Sequence, residues 1–172
     1  TAGATHVMSM MFHSPQVHGF FAVPTDPLSS RLVFKEYLDT CDLTGTIVVA
    51  PDMGQAKSAA RFARTLGLPV AAGNKERVSD TEVVVGGLVG NQVKGHKRAL
   101  IYDDEIATGG SILEMSRVLI NEGIEDIMVM CTHGVFSRDG LARLVTVPQI
   151  SEIVTTDTVN IPEEKFHPKL KM

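Results

Sequence analysis

Runs of apolar residues without polar alternation recur along the chain and predict the buried strands of a parallel sheet. Strands covered by helices on both faces show such continuous runs, whereas strands with one wet face alternate apolar and polar residues. The predicted strands are 5–12, 47–50, 69–72, 82–90, 98–102, 127–132 and 150–156. The charged stretch 74–81 is predicted to be an exposed loop, and no strand is predicted after residue 156.

Apolar residues at helical spacing lie between these strands. They predict helices at 28–38, 55–66, 112–121 and 139–144. Gly67 and Gly123 each follow one of these helices, as glycine commonly does where a helix ends. Strands that alternate with helices of this length predict an α/β fold, in which a parallel sheet is flanked by helices on both faces.

Composition limits the classes of function. The 172 residues are 44% hydrophobic and 21% charged, which fits one packed domain rather than a disordered chain. The net charge of −4 disfavours a nucleic-acid partner, although a small phosphorylated ligand needs only a local site. No apolar run reaches the roughly 18 residues of a membrane span, so no membrane partner is expected. Cys41 and Cys131 lack a CxxC spacing and are typical of buried thiols in a cytoplasmic protein.

The clearest chemical signal is the strand, loop and helix start at 100–111. The apolar strand ends in Asp103 and Asp104, and a loop of small residues then opens the next helix. Glycines let the backbone approach an anion and the first amides of a helix are unpaired, so this loop predicts a phosphate cradle. Carboxylates beside it suit a vicinal diol. Together they predict a ribose 5-phosphate site, with its phosphate held by Thr108, Gly109, Gly110 and Ser111.

A plainer interpretation of the same segment stays open. Ser111 could simply cap the helix, and Asp103 and Asp104 could be solvated charges at the end of a strand. The adjacent pair of acidic residues favours the binding site over these alternatives.

Segment 100–111 resembles the phosphoribosyl-binding motif of type I phosphoribosyltransferases, in which two acidic residues follow an apolar strand and precede a small-residue turn. Other segments narrow the resemblance to the ribose-phosphate diphosphokinases. Residues 12–21 resemble the His-x-x-Gln-x-x-Gly-Phe-Phe stretch of that family, and residues 48–54 resemble its Pro-Asp-x-Gly turn. Further matches, in the same order, lie at 74–77, 132–137 and 155–158.

The resemblance implies a fold and a division into domains. The fold is the type I phosphoribosyltransferase-like parallel sheet flanked by helices. Residues 1–26 would be the end of a truncated N-terminal domain, and residues 27–172 would be the phosphoribosyltransferase-like domain without its C-terminal helix. We therefore expect the chain to be a fragment that is inactive alone.

The resemblance also implies an activity. Family members transfer the diphosphoryl group of ATP to the 1-hydroxyl of ribose 5-phosphate, with Mg²⁺, and release phosphoribosyl diphosphate and AMP. Asp103 and Asp104 would bind the ribose hydroxyls, and residues 108–111 would bind the 5-phosphate. Relatives form dimers and hexamers, so a homo-oligomer is expected.

Four further residues receive roles by the resemblance. His13 and Asp52 would lie near the magnesium ion, although a lone histidine is more often a satisfied polar residue and Asp52 could cap the helix after it. Lys75 and Arg77 would be catalytic, because positioned cations stabilise negative charge on the transferred phosphoryl oxygens. Their plainer interpretation is a solvated basic turn.

Four positions depart from the family pattern. Met11 and Ala107 stand where acidic residues are usual, Glu76 replaces a basic residue, and Gln55 replaces a glycine. Two other functions therefore stay open. One is a phosphoribosyltransferase that uses phosphoribosyl diphosphate, and the other is a non-catalytic paralogue that binds phosphoribosyl compounds and regulates a partner.

Overall fold

The structure is a computed structural model that describes residues 2–77, 83–90 and 93–172. In chain order the strands are β1 (Val7–Met10), β2 (Thr25–Leu28), β3 (Thr46–Ala50), β4 (Val70–Arg77), β5 (Val83–Gly90), β6 (Arg98–Ile106), β7 (Asp126–Gly134), β8 (Ile150–Thr155) and β9 (Leu170–Lys171). The α-helices are α1 (Arg31–Leu38), α2 (Ala56–Leu66), α3 (Gly110–Asn121) and α4 (Gly140–Val145). Short 3-10 helices lie at Pro15–Phe20 and Glu163–Lys165.

Seven strands form one sheet in the order β5-β4-β3-β6-β7-β8-β9. Neighbouring strands are parallel except for β4 and β5, which are antiparallel. Helices α1 and α2 pack on one face of the sheet, and α3 and α4 pack on the other. The predicted α/β architecture, a mainly parallel sheet flanked by helices, is confirmed.

The sheet divides the hydrophobic core into two clusters. Along β3, Ile47 and Val49 belong to the cluster beneath α3 and α4, whereas Val48 and Ala50 belong to the cluster beneath α1 and α2. Because both faces of the strand are buried, its sequence is apolar throughout and does not alternate.

A cluster of three aromatic rings packs α1 and α2 against the middle of β6. The ring of Phe62 stacks on Tyr102 with centroids 4.4 Å apart, and Phe34 meets Tyr102 edge-on at 6.2 Å. Such pairs add specific geometry to the burial of large apolar surfaces. Tyr102 directly precedes Asp103, so this packing holds in place the strand that carries the acidic pair.

Strands β1 and β2 form a separate two-stranded parallel sheet. The predicted domain division between residues 26 and 27 falls within β2, and it stays a prediction.

The predicted exposed loop at 74–81 is wrong for residues 74–77, which extend β4 and pair with β5. The valine-rich start of β5 supplies a partner for this charged segment, so strand pairing overrides its polar composition. Residues 78–82 lie outside the described part of the chain.

Two strands differ from prediction on the other side of the sheet. β6 continues to Ile106, four residues beyond its predicted end, because it stays paired with β7 as far as Gly134. β9 was not predicted, since its two residues are too few to carry a periodic signal. Among the described residues, no helix has the length and apolar character needed to cross a bilayer.

Candidate functional site

The carboxyl ends of the parallel strands form one edge of the sheet, and most of the predicted site residues meet there. Asp52 follows β3, and Asp103 and Asp104 lie near the end of the neighbouring strand β6. These side chains border a cavity of about 430 Å³. Its lining contains eight of the ten predicted residues: His13, Asp52, Asp103, Asp104, Thr108, Gly109, Gly110 and Ser111.

The turn between β6 and α3 supplies the anion-binding part of this lining. Gly109 has a φ of 74°, a left-handed conformation that glycine adopts without steric cost. Gly109 is the N-cap of α3 and, because glycine has no side chain, it makes no side-chain cap hydrogen bond. The first amides of α3 therefore offer donors and a positive dipole end to an anion. The alternative that Ser111 caps the helix is wrong, because Ser111 is already its second residue.

Asp103 and Asp104 do not behave as solvated strand-end charges. Asp104 is only 4% exposed, and its Oδ1 accepts a hydrogen bond from the Glu105 amide at 2.9 Å. Burial, reinforced by the adjacent Asp104 carboxyl group, raises the pKa of Asp103 to about 8. The raised pKa favours the protonated form of Asp103, and a protonated carboxyl group can donate a hydrogen bond to a diol as well as accept one.

His13 joins the acidic pair from a distant part of the chain. It lies in the loop after β1, and its Nδ1 is 2.7 Å from Oδ2 of Asp104. The hydrogen bond to Asp104 and the charge of that carboxylate raise the pKa of His13. With Nδ1 engaged, Nε2 is the ring atom left for a ligand.

Asp52 has a structural contact in addition to its place in the cavity. Its Oδ1 accepts a hydrogen bond from the amide of Gln55 at 3.2 Å, immediately before α2 begins. The interpretation of Asp52 as a helix-capping residue is therefore supported alongside a role in the site.

The donor atoms of the cavity fit a hydrated magnesium ion better than a dedicated metal cage. No group of three or more His, Cys, Asp or Glu residues that could hold a metal ion occurs within residues 2–77, 83–90 and 93–172. Magnesium usually keeps several waters and binds one or two carboxylates together with substrate phosphates. Asp52 and Asp104 suit that arrangement, whereas the imidazole of His13 is a less usual ligand for a hard cation.

Lys75 and Arg77 lie on β4, where they pair with Val85 and Val83 of β5. Their side chains lie outside the described part of the chain. Their catalytic role stays a prediction.

A second cavity of about 420 Å³ adjoins the first and shares four lining residues with it, His13, Gly54, Gln55 and Asp104. It also contains cationic side chains that the sequence analysis missed, those of Arg31, Lys57 and Arg61. Lys57 and Arg61 are four residues apart on α2, so they project from one face of that helix. That spacing is a sequence signal that could have identified them.

The raised pKa of Asp103 predicts how stability depends on pH. Between the ordinary pKa of 3.8 and the folded value of about 8, the folded chain holds a proton that the unfolded chain has lost. Stability therefore falls as pH rises through this range, by up to about 1.4 kcal/mol per pH unit. The change Asp103→Asn removes this loss of stability at high pH. Relative to the wild-type chain, the free energy of unfolding of the variant should therefore be larger at pH 8.5 than at pH 5.5.

Urea unfolding of the wild-type chain and the Asp103→Asn variant at the two pH values, in the presence of a chelator, measures this difference. Asp39→Asn is the matched control, because Asp39 is an exposed carboxylate that pairs with Lys35 on the surface of α1. An equal effect of Asp103→Asn at both pH values would contradict the raised pKa.

Comparison with known proteins gives a consistent result. A family model described as the phosphoribosyl synthetase-associated domain matches residues 83–171. The chain is 41% identical over 167 residues to a ribose-phosphate pyrophosphokinase of Deinococcus radiodurans, which covers 96% of this chain and 51% of that relative. The chain therefore spans about half the length of the curated relatives it matches.

Solved structures show the same relationship. A phosphoribosylpyrophosphate synthetase from Mycobacterium smegmatis is 31% identical, with a TM-score of 0.87 over 99% of this chain and 54% of that chain. An adenine phosphoribosyltransferase from Thermoanaerobacter pseudethanolicus is 18% identical, with a TM-score of 0.50 over 74% of this chain and 76% of that chain. The second match indicates the fold alone, and the predicted phosphoribosyltransferase-like fold is confirmed.

Proposed function

Because the chain belongs to the phosphoribosyl synthetase-associated domain family, we propose that it is the ribose-5-phosphate-binding part of a ribose-phosphate diphosphokinase, also called a pyrophosphokinase. In the proposed reaction the diphosphoryl group of ATP passes to the 1-hydroxyl of ribose 5-phosphate. The products are phosphoribosyl diphosphate and AMP.

One observation carries this proposal: the start of α3, with glycine as its N-cap, lines the same cavity as Asp103 and the buried Asp104. The turn at 108–111 binds the 5-phosphate through main-chain amides and the hydroxyl groups of its threonine and serine. Asp103 and Asp104 bind the ribose hydroxyls through hydrogen bonds to their carboxyl groups. Sugar and phosphate are thereby recognised at opposite ends of one ligand.

The transfer step itself requires stabilisation of negative charge. The 1-hydroxyl oxygen attacks the β-phosphorus of ATP, the bond from that phosphorus to the α,β-bridging oxygen breaks, AMP leaves, and the hydroxyl proton is released to solvent. Lys75 and Arg77 stabilise the charge on the nonbridging oxygens during this step. His13 and Asp52 would help to hold the magnesium ion, which would supply electrostatic stabilisation of the phosphates.

The second cavity supports a place for the ATP phosphates next to the sugar. Three cations line it, and it opens into the first cavity at His13 and Asp104. Cationic side chains suit polyphosphates because they neutralise several charges at once.

The proposed enzyme is longer than this chain, since the chain covers 51% of a relative that it matches across nearly its whole length. We place residues 1–26 at the end of an N-terminal domain and residues 27–172 in the phosphoribosyltransferase-like domain. The remainder of the ATP site comes from the other domain, partly across a contact between subunits of a homo-oligomer.

Two measurements test the proposal. Isothermal titration of the chain with ribose 5-phosphate, ribose and inorganic phosphate should show the tightest binding for the phosphorylated sugar. The longer protein, incubated with ATP, Mg²⁺ and ribose 5-phosphate, should release AMP. Release of diphosphate from phosphoribosyl diphosphate only when a base is added would instead indicate a phosphoribosyltransferase, and binding without turnover would indicate a regulatory paralogue.

A further inference from the structure

The phosphate-binding turn rests directly on the start of α4, outside the cavity. A Cβ atom added to Gly140 would lie 2.6 Å from the carbonyl oxygen of Ala107 and 3.3 Å from the Cα atom of Thr108. Both neighbours are backbone atoms, which cannot move aside as a flexible side chain can. Because Gly140 has no Cβ atom, α4 lies closer to the turn than it could with any other residue at this position.

Two further contacts tie the same region to the turn. A Cβ atom on Gly109 would lie 3.2 Å from Leu144 and 3.3 Å from the carbonyl oxygen of Gly140. The amide of Phe136 donates to the carbonyl oxygen of Ile106 at 2.9 Å, where the strand ends and the turn begins. Both ends of the turn are thus supported by the chain that follows β7.

The supporting segment is itself held in an unusual conformation. Phe136 and Arg138 have φ values of 42° and 54°, a left-handed region that side-chain-bearing residues rarely adopt. The ring of Phe136 is buried and lies against Gly134, and Nζ of Lys165 donates to the Phe136 carbonyl oxygen at 2.9 Å. Such a strained backbone conformation persists only where surrounding contacts hold it in place, and it occurs most often at functional sites.

We propose that residues 134–140 form a support segment, and that Gly140 is a positioning residue that sets the geometry of the phosphate-binding turn. This inference rests on the proposed ribose 5-phosphate site. Gly140 does not line the cavity and acts only through the backbone of Ala107 and Thr108. Amide donors recognise an anion only when they are held within a fraction of an ångström of the required geometry.

The test is the change Gly140→Ala in this chain, studied by calorimetry and by amide NMR. The variant is expected to bind ribose 5-phosphate about tenfold more weakly, as for the loss of one charge-assisted hydrogen bond. The amide resonances of Gly109 and Gly110 should shift in the absence of ligand, whereas those of β3 and α2 should not. Inorganic phosphate should lose affinity by a similar factor, because the defect lies at the phosphate end.

Ala142→Gly is the matched control. Ala142 is exposed on α4, so this change weakens the same helix without adding an atom beside the turn. It should lower the thermal midpoint and leave the affinity for ribose 5-phosphate unchanged. An equal loss of affinity in Ala142→Gly would show that general stability of α4 is responsible, and would overturn the positioning role.

A second variant keeps the inference testable if Gly140→Ala does not fold. Lys165→Met removes the donor to the Phe136 carbonyl oxygen and should weaken ribose 5-phosphate binding about threefold, a change of well under 1 kcal/mol by the usual conversion. If the folded variants bind ribose 5-phosphate as tightly as the wild-type chain, the role of the support segment is overturned but the proposed function is not. Failure of the wild-type chain to bind ribose 5-phosphate would instead overturn the proposed function, and the inference with it.

Discussion

Replacing Lys75 by alanine in the longer enzyme is expected to lower kcat about 100-fold, by analogy with the removal of one electrostatic donor from a transition state. The affinity for ribose 5-phosphate should remain nearly unchanged, because in the proposed mechanism the lysine acts on the transferred phosphoryl oxygens and not on the sugar. Steady-state AMP formation gives kcat, and calorimetry with ribose 5-phosphate gives the affinity.

Lys171→Ala is the control for this prediction. Lys171 is an exposed lysine on β9, at the far edge of the sheet from β4, so its loss removes the same charge without approaching the site. Equal losses of kcat and of ribose 5-phosphate affinity in Lys75→Ala would assign the lysine to substrate binding, contrary to the proposed role.

Asp104→Asn is expected to weaken ribose 5-phosphate binding by about 10- to 100-fold, as hydrogen bonds to charged groups contribute about 1.5–3 kcal/mol. In the proposed site Asp104 accepts from the sugar, and in the structure it also contacts His13, so the amide should weaken both contacts. Titration calorimetry with ribose 5-phosphate and with inorganic phosphate measures the effect. Phosphate alone should bind with little change, because it contacts only the turn.

The Asp39→Asn variant again serves as the control. Its affinity for ribose 5-phosphate should equal that of the wild-type chain. If Asp104→Asn retained full affinity for ribose 5-phosphate, Asp104 would have no place in the sugar site. If it lost affinity for inorganic phosphate to the same extent, the acidic pair would be acting on the turn and not on the sugar.

The part of the site that is continuous in sequence could be predicted. The strand, acidic pair and small-residue turn at 100–111 lie together because β6 leads directly into α3, and local backbone rules place phosphate at such a junction. The buried strands were predicted for a related reason. Their sequences are apolar throughout because helices cover both faces of the sheet.

The contacts between distant segments could not be predicted from residue patterns. His13 and Asp104 are 91 positions apart, and only the family resemblance placed His13 in the site at all. The role of Gly140 depends on the absence of a side chain next to another segment's backbone, which leaves no periodic or compositional signal. The pairing of residues 74–77 with β5 is likewise a tertiary effect that their polar composition conceals.

The bond between His13 and Asp104 has a thermodynamic consequence, because it links the loop after β1, in the small sheet of β1 and β2, to strand β6. Any ligand or neighbouring domain that reorients the first 28 residues changes the environment of Asp104, which is part of the proposed sugar site. Linkage is reciprocal, so occupation of the sugar pocket must bias the orientation of those residues by the same free energy. In the proposed enzyme, this one hydrogen bond would make sugar binding and nucleotide binding energetically interdependent.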